Sequence, residues 1–158
     1  MNAVFVDTGG WMACADRSNP VHTACTSARD ATLEAGRILV TTDFVVDETL
    51  TLIRFRLGLA AANAWWQQID GSRRLRWERV ESDRFERARQ LFVQYRDKDL
   101  SFTDCTSFAV MRELRGDDRD HDRPPLFPGR LRRAAGSSAS DHSKAAALLI
   151  ELPSSIWP

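Results

Sequence analysis

ILVTTDFVVDETLTLIRFRLG, residues 38–58, is the stretch on which the fold turns. Ile38 to Thr41 is a short apolar run rich in branched side chains, as expected of a buried strand. Thr42-Asp43 then offers a helix cap, and the apolar positions take up helical spacing until Gly58 stops them. A strand that passes straight into a capped helix is one step of an α/β domain. The same step recurs on both sides. Towards the N-terminus, Ala3 to Val6 reads as a buried strand ending in a tight loop, Asp7-Thr8-Gly9-Gly10. The chain then turns helical, and Pro20 behind Ser18-Asn19 reads as the first-turn proline of a helix running to about Leu33, with Gly36 as its stop.

Towards the C-terminus, AANAWWQQID (61–70) predicts a helix before Gly71, and LRWERV (75–80) alternates like a strand nearer a sheet edge. Ser82-Asp83 caps a helix with the stripe Phe85, Ala88, Leu91, Phe92 and Tyr95 and with arginines on its other face. After the link RDKDL, SFTDCTSFAVMREL (101–114) predicts one more helix. Strands alternating with helices predict an α/β domain: a short, mostly parallel sheet flanked by helices, with ligands at the carboxyl ends of its strands.

The 158 residues suffice for one domain, here 1–114, plus a tail, 115–158. A formal net charge of zero sets up no single-sign field to advertise a nucleic-acid partner. No apolar run approaches the ~18 residues that span a bilayer. MNAVFVDTGG lacks the basic start of a secretory signal, so a cytoplasmic protein is expected. Cys14, Cys25 and Cys105 have no metal-ligand spacing and read as reduced thiols filling small core positions.

Three carboxylates stand against the grain of this pattern. Asp7 lies at the carboxyl end of the first strand, where an open α/β sheet presents its site, although a loop acid bonding the next turn of backbone would occupy the same position. Along the helix from Phe44, Asp47 shares a face with Thr51 and Arg54, whereas Glu48 shares one with Leu52 and Phe55 and so points to the apolar side. A carboxylate aimed into a core needs a cation, a proton or a donor, and an arginine would serve as well as a metal. Asp104 opens the last helix at the rim of its buried stripe, where Ser101-Phe102-Thr103-Asp104 also fits a capping box. Three acids converging at strand ends would repel one another unless a divalent cation sat between them. An all-oxygen set suits Mg²⁺ or Mn²⁺, which can activate water for phosphodiester hydrolysis.

VFVDTGGW, TTDFVVDETLTLI and DLSFTDCTSFAVMREL, in this order and spacing, resemble the PIN-domain ribonucleases, and among them the VapC-like toxins of toxin–antitoxin pairs. The resemblance covers residues 3 to 114. It implies a PIN-like three-layer α/β fold and a metal-dependent endoribonuclease acting on single-stranded or loop RNA. It also implies a homodimer inhibited by a small VapB-like antitoxin, with no membrane partner. The family's acids fall on Asp7, Glu48 and Asp104. Asp7 and Asp104 would hold the principal Mg²⁺ (or Mn²⁺), and Glu48 would complete its shell or orient the water. Thr8 matches the small hydroxyl residue beside the first acid, and Asp99 lies near the third acid in a supporting place. The family's fourth acid follows one more strand, in a Thr-Thr-Asp turn that this chain lacks.

Where that strand is due, after Leu114, the sequence reads RGDDRDHDRPPLFPGR, whose proline pair and unalternating charges exclude a central strand. Of 22 basic residues only Lys98 and Lys144 are lysines, a sign of a GC-rich gene. Shifting the frame by one base from codon 115 makes residues 115–135 compatible at every codon with GVTTAITTDHHFSQAGFDALP, and the missing Asp then comes from the codon of Arg123. We therefore read the tail as a frameshifted C-terminus, irregular or disordered, with the last strand missing or altered. Asp122, one position from the lost acid, is a candidate substitute, and AAALLIELP (145–153) could cover part of the exposed sheet by chance. Two other readings stay open. One is a decayed domain that binds antitoxin or RNA without cleaving. The other is an aspartic-type protease built on the Asp7-Thr8-Gly9 loop. Sequencing of the gene is expected to show that a one-base shift at the Leu114/Arg115 boundary opens a frame containing Thr-Thr-Asp; a single conflicting codon sinks the frameshift.

Overall fold

The computed structural model describes residues 3–116 and 149–152. In chain order these form β1 (Ala3–Val6), α1 (Thr8–Ala15), α2 (His22–Glu34), β2 (Ile38–Thr42), α3 (Asp43–Arg56), α4 (Leu59–Asp70), β3 (Leu75–Glu78), α5 (Ser82–Gln94), α6 (Phe102–Arg115) and β4 (Leu149–Leu152). The sheet order is β3-β2-β1-β4. The first three strands are parallel, with Val4 opposite Leu39 and Val40 opposite Arg76. Every residue of β1 is buried, as the continuous apolar run demands of a strand covered on both faces. Helices α2 and α6 both lie against β2 and β4, which gives the expected layers of helix, sheet and helix.

The segment that decided the fold behaves as its residues require. Thr42 Oγ1 accepts the Val45 amide at 3.1 Å and caps α3. Gly58, at φ +94°, turns the chain from α3 into α4 through a conformation that a side chain would resist. Asp43 Oδ1 accepts the Val80 amide at 3.1 Å, and this ties the chain leaving β3 to the start of α3.

Several boundaries differ from the sequence reading. Asp7-Thr8-Gly9-Gly10 is not a loop: Asp7 is the cap and α1 starts at Thr8, because the Asp7 side chain takes the Gly10 amide. Pro20 lies outside α2, which begins at His22. The turn before it is held by Asn19, whose Oδ1 accepts the Val21 amide and whose carbonyl accepts the His22 amide. The α5 cap is Glu81, with no side-chain bond, rather than Ser82-Asp83. Phe55 does not join the apolar face of α3. It is 83% exposed, while Val45, Val46, Thr49 and Ile53 make the buried stripe and leave Glu48 half-buried on its flank. Phe85 and Phe92 are also largely exposed, and pack around Phe102 with ring centroids 5.0 and 6.0 Å away.

The last strand is altered rather than missing. Leu149–Leu152, within the stretch read as cover by chance, pairs antiparallel with β1, Ala3 opposite Leu152 and Val6 opposite Leu149. A wholly buried strand needs partners along both edges for its amides and carbonyls, and β4 supplies the second edge. The irregular character expected of the rest of 115–158, and Asp122 within it, lie outside the described residues, apart from Arg115 and Gly116 at the end of α6.

A charge network not foreseen from sequence holds β3, α5 and α6 together. Arg84 reaches Glu78 at 2.8 Å and Glu113 at 2.6 Å, donates to the Arg79 carbonyl at 2.7 Å, and Arg87 adds a contact to Glu113 at 3.5 Å. The Glu113 carboxyl is held below its ordinary value by the hydrogen bond from Arg84. The Glu78 side chain is 6% exposed and also pairs with Arg76 at 2.6 Å, so removal of Arg84 leaves a buried carboxylate with only a half-exposed partner and uncouples it from Glu113. Arg84→Ala is expected to lower the unfolding free energy by about 3 kcal/mol, whereas Arg89→Ala, at an exposed pair with Glu86, should leave it nearly unchanged. Urea unfolding at neutral pH measures both.

Candidate active site

The site forms where β1 and β2 end. Val6 is the last residue of β1, and its carbonyl accepts the Thr41 hydroxyl at 3.2 Å; the same Thr41 oxygen accepts the Trp11 indole N–H at 3.2 Å. These two bonds join the carboxyl ends of the neighbouring strands to the second turn of α1. Trp11 and Thr41 were not singled out from sequence, although a tryptophan one helical turn after a capping acid is the kind of side chain that can reach back across a strand end.

Asp7 is half-buried between β1 and α1, its Oδ1 accepting the Gly10 amide at 2.7 Å. Its carboxyl is raised from 3.8 to about 6, first by burial and then by the charges of Asp104 and Glu48, with the Gly10 bond acting the other way. The two other acids selected from sequence therefore bear electrostatically on the first. Glu48 Oε2 accepts the Thr8 hydroxyl at 2.6 Å, which brings Thr8 into the site and draws α3 to the start of α1. The salt bridge considered for Glu48 is replaced by this hydroxyl. Asp104 forms the capping box: its Oδ2 accepts the Ser101 amide at 2.7 Å, and its own amide donates to Ser101 Oγ at 3.1 Å. The cap and the place beside Asp7 are thus one arrangement, since the cap is what fixes the Asp104 carboxylate at the head of α6. Asp99 is exposed in the link between α5 and α6.

The donor set suits a hard divalent cation by type, being three carboxylates and no soft ligand. It also suits one by charge, because the charged groups that weigh most on Asp7 are both acids and raise its carboxyl. Among the described residues, however, no three His, Cys, Asp or Glu side chains stand close enough to hold a metal ion together. In this arrangement one oxygen of Glu48 accepts from Thr8 and one oxygen of Asp104 accepts from the Ser101 amide. The protease reading of Asp7-Thr8-Gly9 falls here, since these residues are a strand-to-helix junction of an α/β domain and not a loop of an all-β scaffold.

The Asp7 shift has a definite sign. An acid whose carboxyl is raised on folding holds its proton more tightly when folded, so ionising it costs stability. Stability falls as pH rises from 3.8 towards about 6, and the cost is complete above that. In chelator-treated buffer at neutral pH, Asp7→Asn, which keeps an acceptor for Gly10, should therefore be more stable than the parent by roughly 1 to 3 kcal/mol. That advantage should vanish below about pH 4. Thermal melts across pH check the difference.

No family model matches the sequence. Over 110 residues, 70% of this chain and 81% of the relative, it is 34% identical to the 23S rRNA-specific endonuclease VapC20 of Mycobacterium tuberculosis, from strains CDC 1551 / Oshkosh and ATCC 25618 / H37Rv. The crystal structure of M. tuberculosis VapC20, a sarcin-ricin loop cleaving toxin, matches with a TM-score of 0.61 at 33% identity, covering 69% of this chain and 81% of that one. An α/β sheet with acids at its strand ends, and this identity across most of a relative, together establish that the chain belongs to the VapC-like PIN-domain ribonuclease toxins.

Proposed function

We propose that this chain is a metal-dependent endoribonuclease, the toxin of a toxin–antitoxin pair, hydrolysing phosphodiester bonds in single-stranded or loop RNA. The observation that carries this reading is Asp7, a half-buried carboxylate raised to about 6 by burial and by two neighbouring acids at the carboxyl ends of β1 and β2. Carboxylates gathered in this way are poorly solvated and mutually repelling, which favours a divalent cation and the electropositive phosphorus of a backbone it neutralises. The 23S rRNA specificity of VapC20 makes a ribosomal RNA loop the natural substrate class, since unpaired backbone in a loop can approach a recessed site.

Asp7 and Asp104 would hold Mg²⁺ or Mn²⁺, with Glu48 completing the shell or orienting the attacking water. The bound ion would lower the pKa of that water and neutralise charge on the phosphate. Gly10 keeps Asp7 Oδ1 in place, and Thr8 Oγ1 keeps Glu48 beside it. The Ser101 cap sets Asp104 at the head of α6. A small VapB-like antitoxin and a second copy of the chain are the proposed protein partners. Exposed Phe55, Leu59 and Trp66 on α3 and α4 provide apolar surface for such contacts. The proposed setting is the cytoplasm; among the described residues no helix is long and apolar enough to cross a membrane.

The assay is cleavage of a ribosomal stem-loop RNA by purified protein with Mn²⁺ or Mg²⁺. Cleavage should stop with chelator and fall by ~100-fold or more in Asp7→Asn and in Asp104→Asn. Equal cleavage by parent and Asp7→Asn would mark a contaminant and reject the catalytic role. Binding of RNA without cleavage by the parent would instead support the decayed domain.

A further inference from the structure

The cysteines are not interchangeable core fillers. Cys14, near the end of α1, and Cys25, in the first turn of α2, stand with their sulfurs 3.5 Å apart, the Cys14 thiol donating to Cys25. The Cys25 thiol donates in turn to the Gly10 carbonyl, also at 3.5 Å. Cys25 is buried, whereas Cys14 is half-exposed and lines a cavity of 680 Å³ that also includes His22, Arg29 and Trp65. Cys105 is buried on α6, away from both.

We propose that Cys14 and Cys25 form an intramolecular oxidation site, a dithiol that hydroperoxides convert reversibly to a disulfide joining α1 to α2. The geometry assigns the order of events. Cys14 is the sulfur reached from the cavity, and its thiol is held below the ordinary value because, once it ionises, the Cys25 S–H at 3.5 Å can donate to its thiolate, against the effect of burial and together with the charge of Arg29. Its thiolate attacks one oxygen of the hydroperoxide. The O–O bond breaks, leaving a sulfenic acid on Cys14 and releasing water, or an alcohol from an organic peroxide, once the departing oxygen has taken a proton. The Cys25 sulfur then attacks the Cys14 sulfur, an S–S bond forms, and the hydroxyl leaves with the Cys25 proton as a second water. Two thiols are oxidised and one peroxide is reduced.

A disulfide holds its sulfurs at about 2.0 Å, so torsion of the two side chains has a short gap to close. The consequence reaches the acid site through one residue. Gly10 accepts from Cys25 and donates its amide to Asp7, so oxidation removes a bond to the residue that holds the Asp7 side chain. Cys105 is a control within the chain, because it is wholly buried on α6.

The test is peptide mapping of the full chain after treatment with hydrogen peroxide. Arg17 lies between Cys14 and Cys25, so trypsin separates them unless a disulfide joins the fragments. The expected result is a joined peptide containing Cys14 and Cys25, lighter by two hydrogens, that a thiol reductant separates again. Cys14→Ser should abolish the joined peptide, and Cys25→Ser should leave a Cys14 sulfenic acid that a cyclic 1,3-diketone captures. The parent experiment stands even where a variant fails to fold. No joined peptide from folded parent protein, a disulfide only between chains, or oxidation of Cys105 at the rate of Cys14 would each overturn the proposal.

Discussion

Asp7 sits where the fully buried strand β1 gives way to α1 with no intervening loop, and the molecule is arranged around keeping a carboxylate there. Its side chain ends the strand by capping the helix, so the acid cannot leave the junction without uncapping α1. The neighbouring strand is locked to the same point by Thr41, which bonds both the Val6 carbonyl and the Trp11 indole. Burial and two further acids then push the carboxyl up to about 6. A position so costly for a negative charge favours a group of opposite charge beside it, and this is why the acids, rather than the fold alone, carry the functional reading.

Each remaining acid is positioned by a local bond with a structural purpose of its own. Thr8 holds Glu48 on the flank of α3, and the Ser101 box holds Asp104 at the head of α6. Capping and function are therefore not competing explanations here, because the cap is the device that places the carboxylate. On the far side of α6 the logic is reversed. Arg84 satisfies Glu78 and Glu113, so those buried or half-buried acids are neutralised inside the protein and have no charge left to offer a ligand. Glu78 and Glu113 thus belong to the scaffold, whereas Asp7 is bounded by the charges of two further acids.

On the side away from β2, β1 is completed by an antiparallel strand from the tail. The match to the M. tuberculosis relative takes in 110 residues, 70% of the chain. What the sheet needs at this edge is a partner for backbone groups, a need that four residues of short apolar chain can meet without any family sequence. The family's last acid is a different matter, since a backbone ladder can be satisfied by many sequences and a carboxylate at a given point by very few.

The sequence by itself determined the βα alternation, the three parallel strands, the caps at Thr42 and Ser101, and the choice of Asp7, Glu48 and Asp104. All of these follow from local periodicity, capping chemistry and the cost of an acid on an apolar face. It misplaced Phe55, Phe85 and Phe92 because helical spacing says which residues share a face and not how far the neighbouring helix extends over it. It also took Asp7-Thr8-Gly9-Gly10 for a loop, since two glycines outweigh a single cap when propensity is all there is to read. Only the tertiary structure decided that Thr8 meets Glu48 across 40 positions, that Arg84 bridges β3 and α6, that Cys14 and Cys25 face each other, and that Leu149–Leu152 closes the sheet. Those pairings join residues far apart in the chain, and their partners are chosen by packing in three dimensions, which no local pattern encodes.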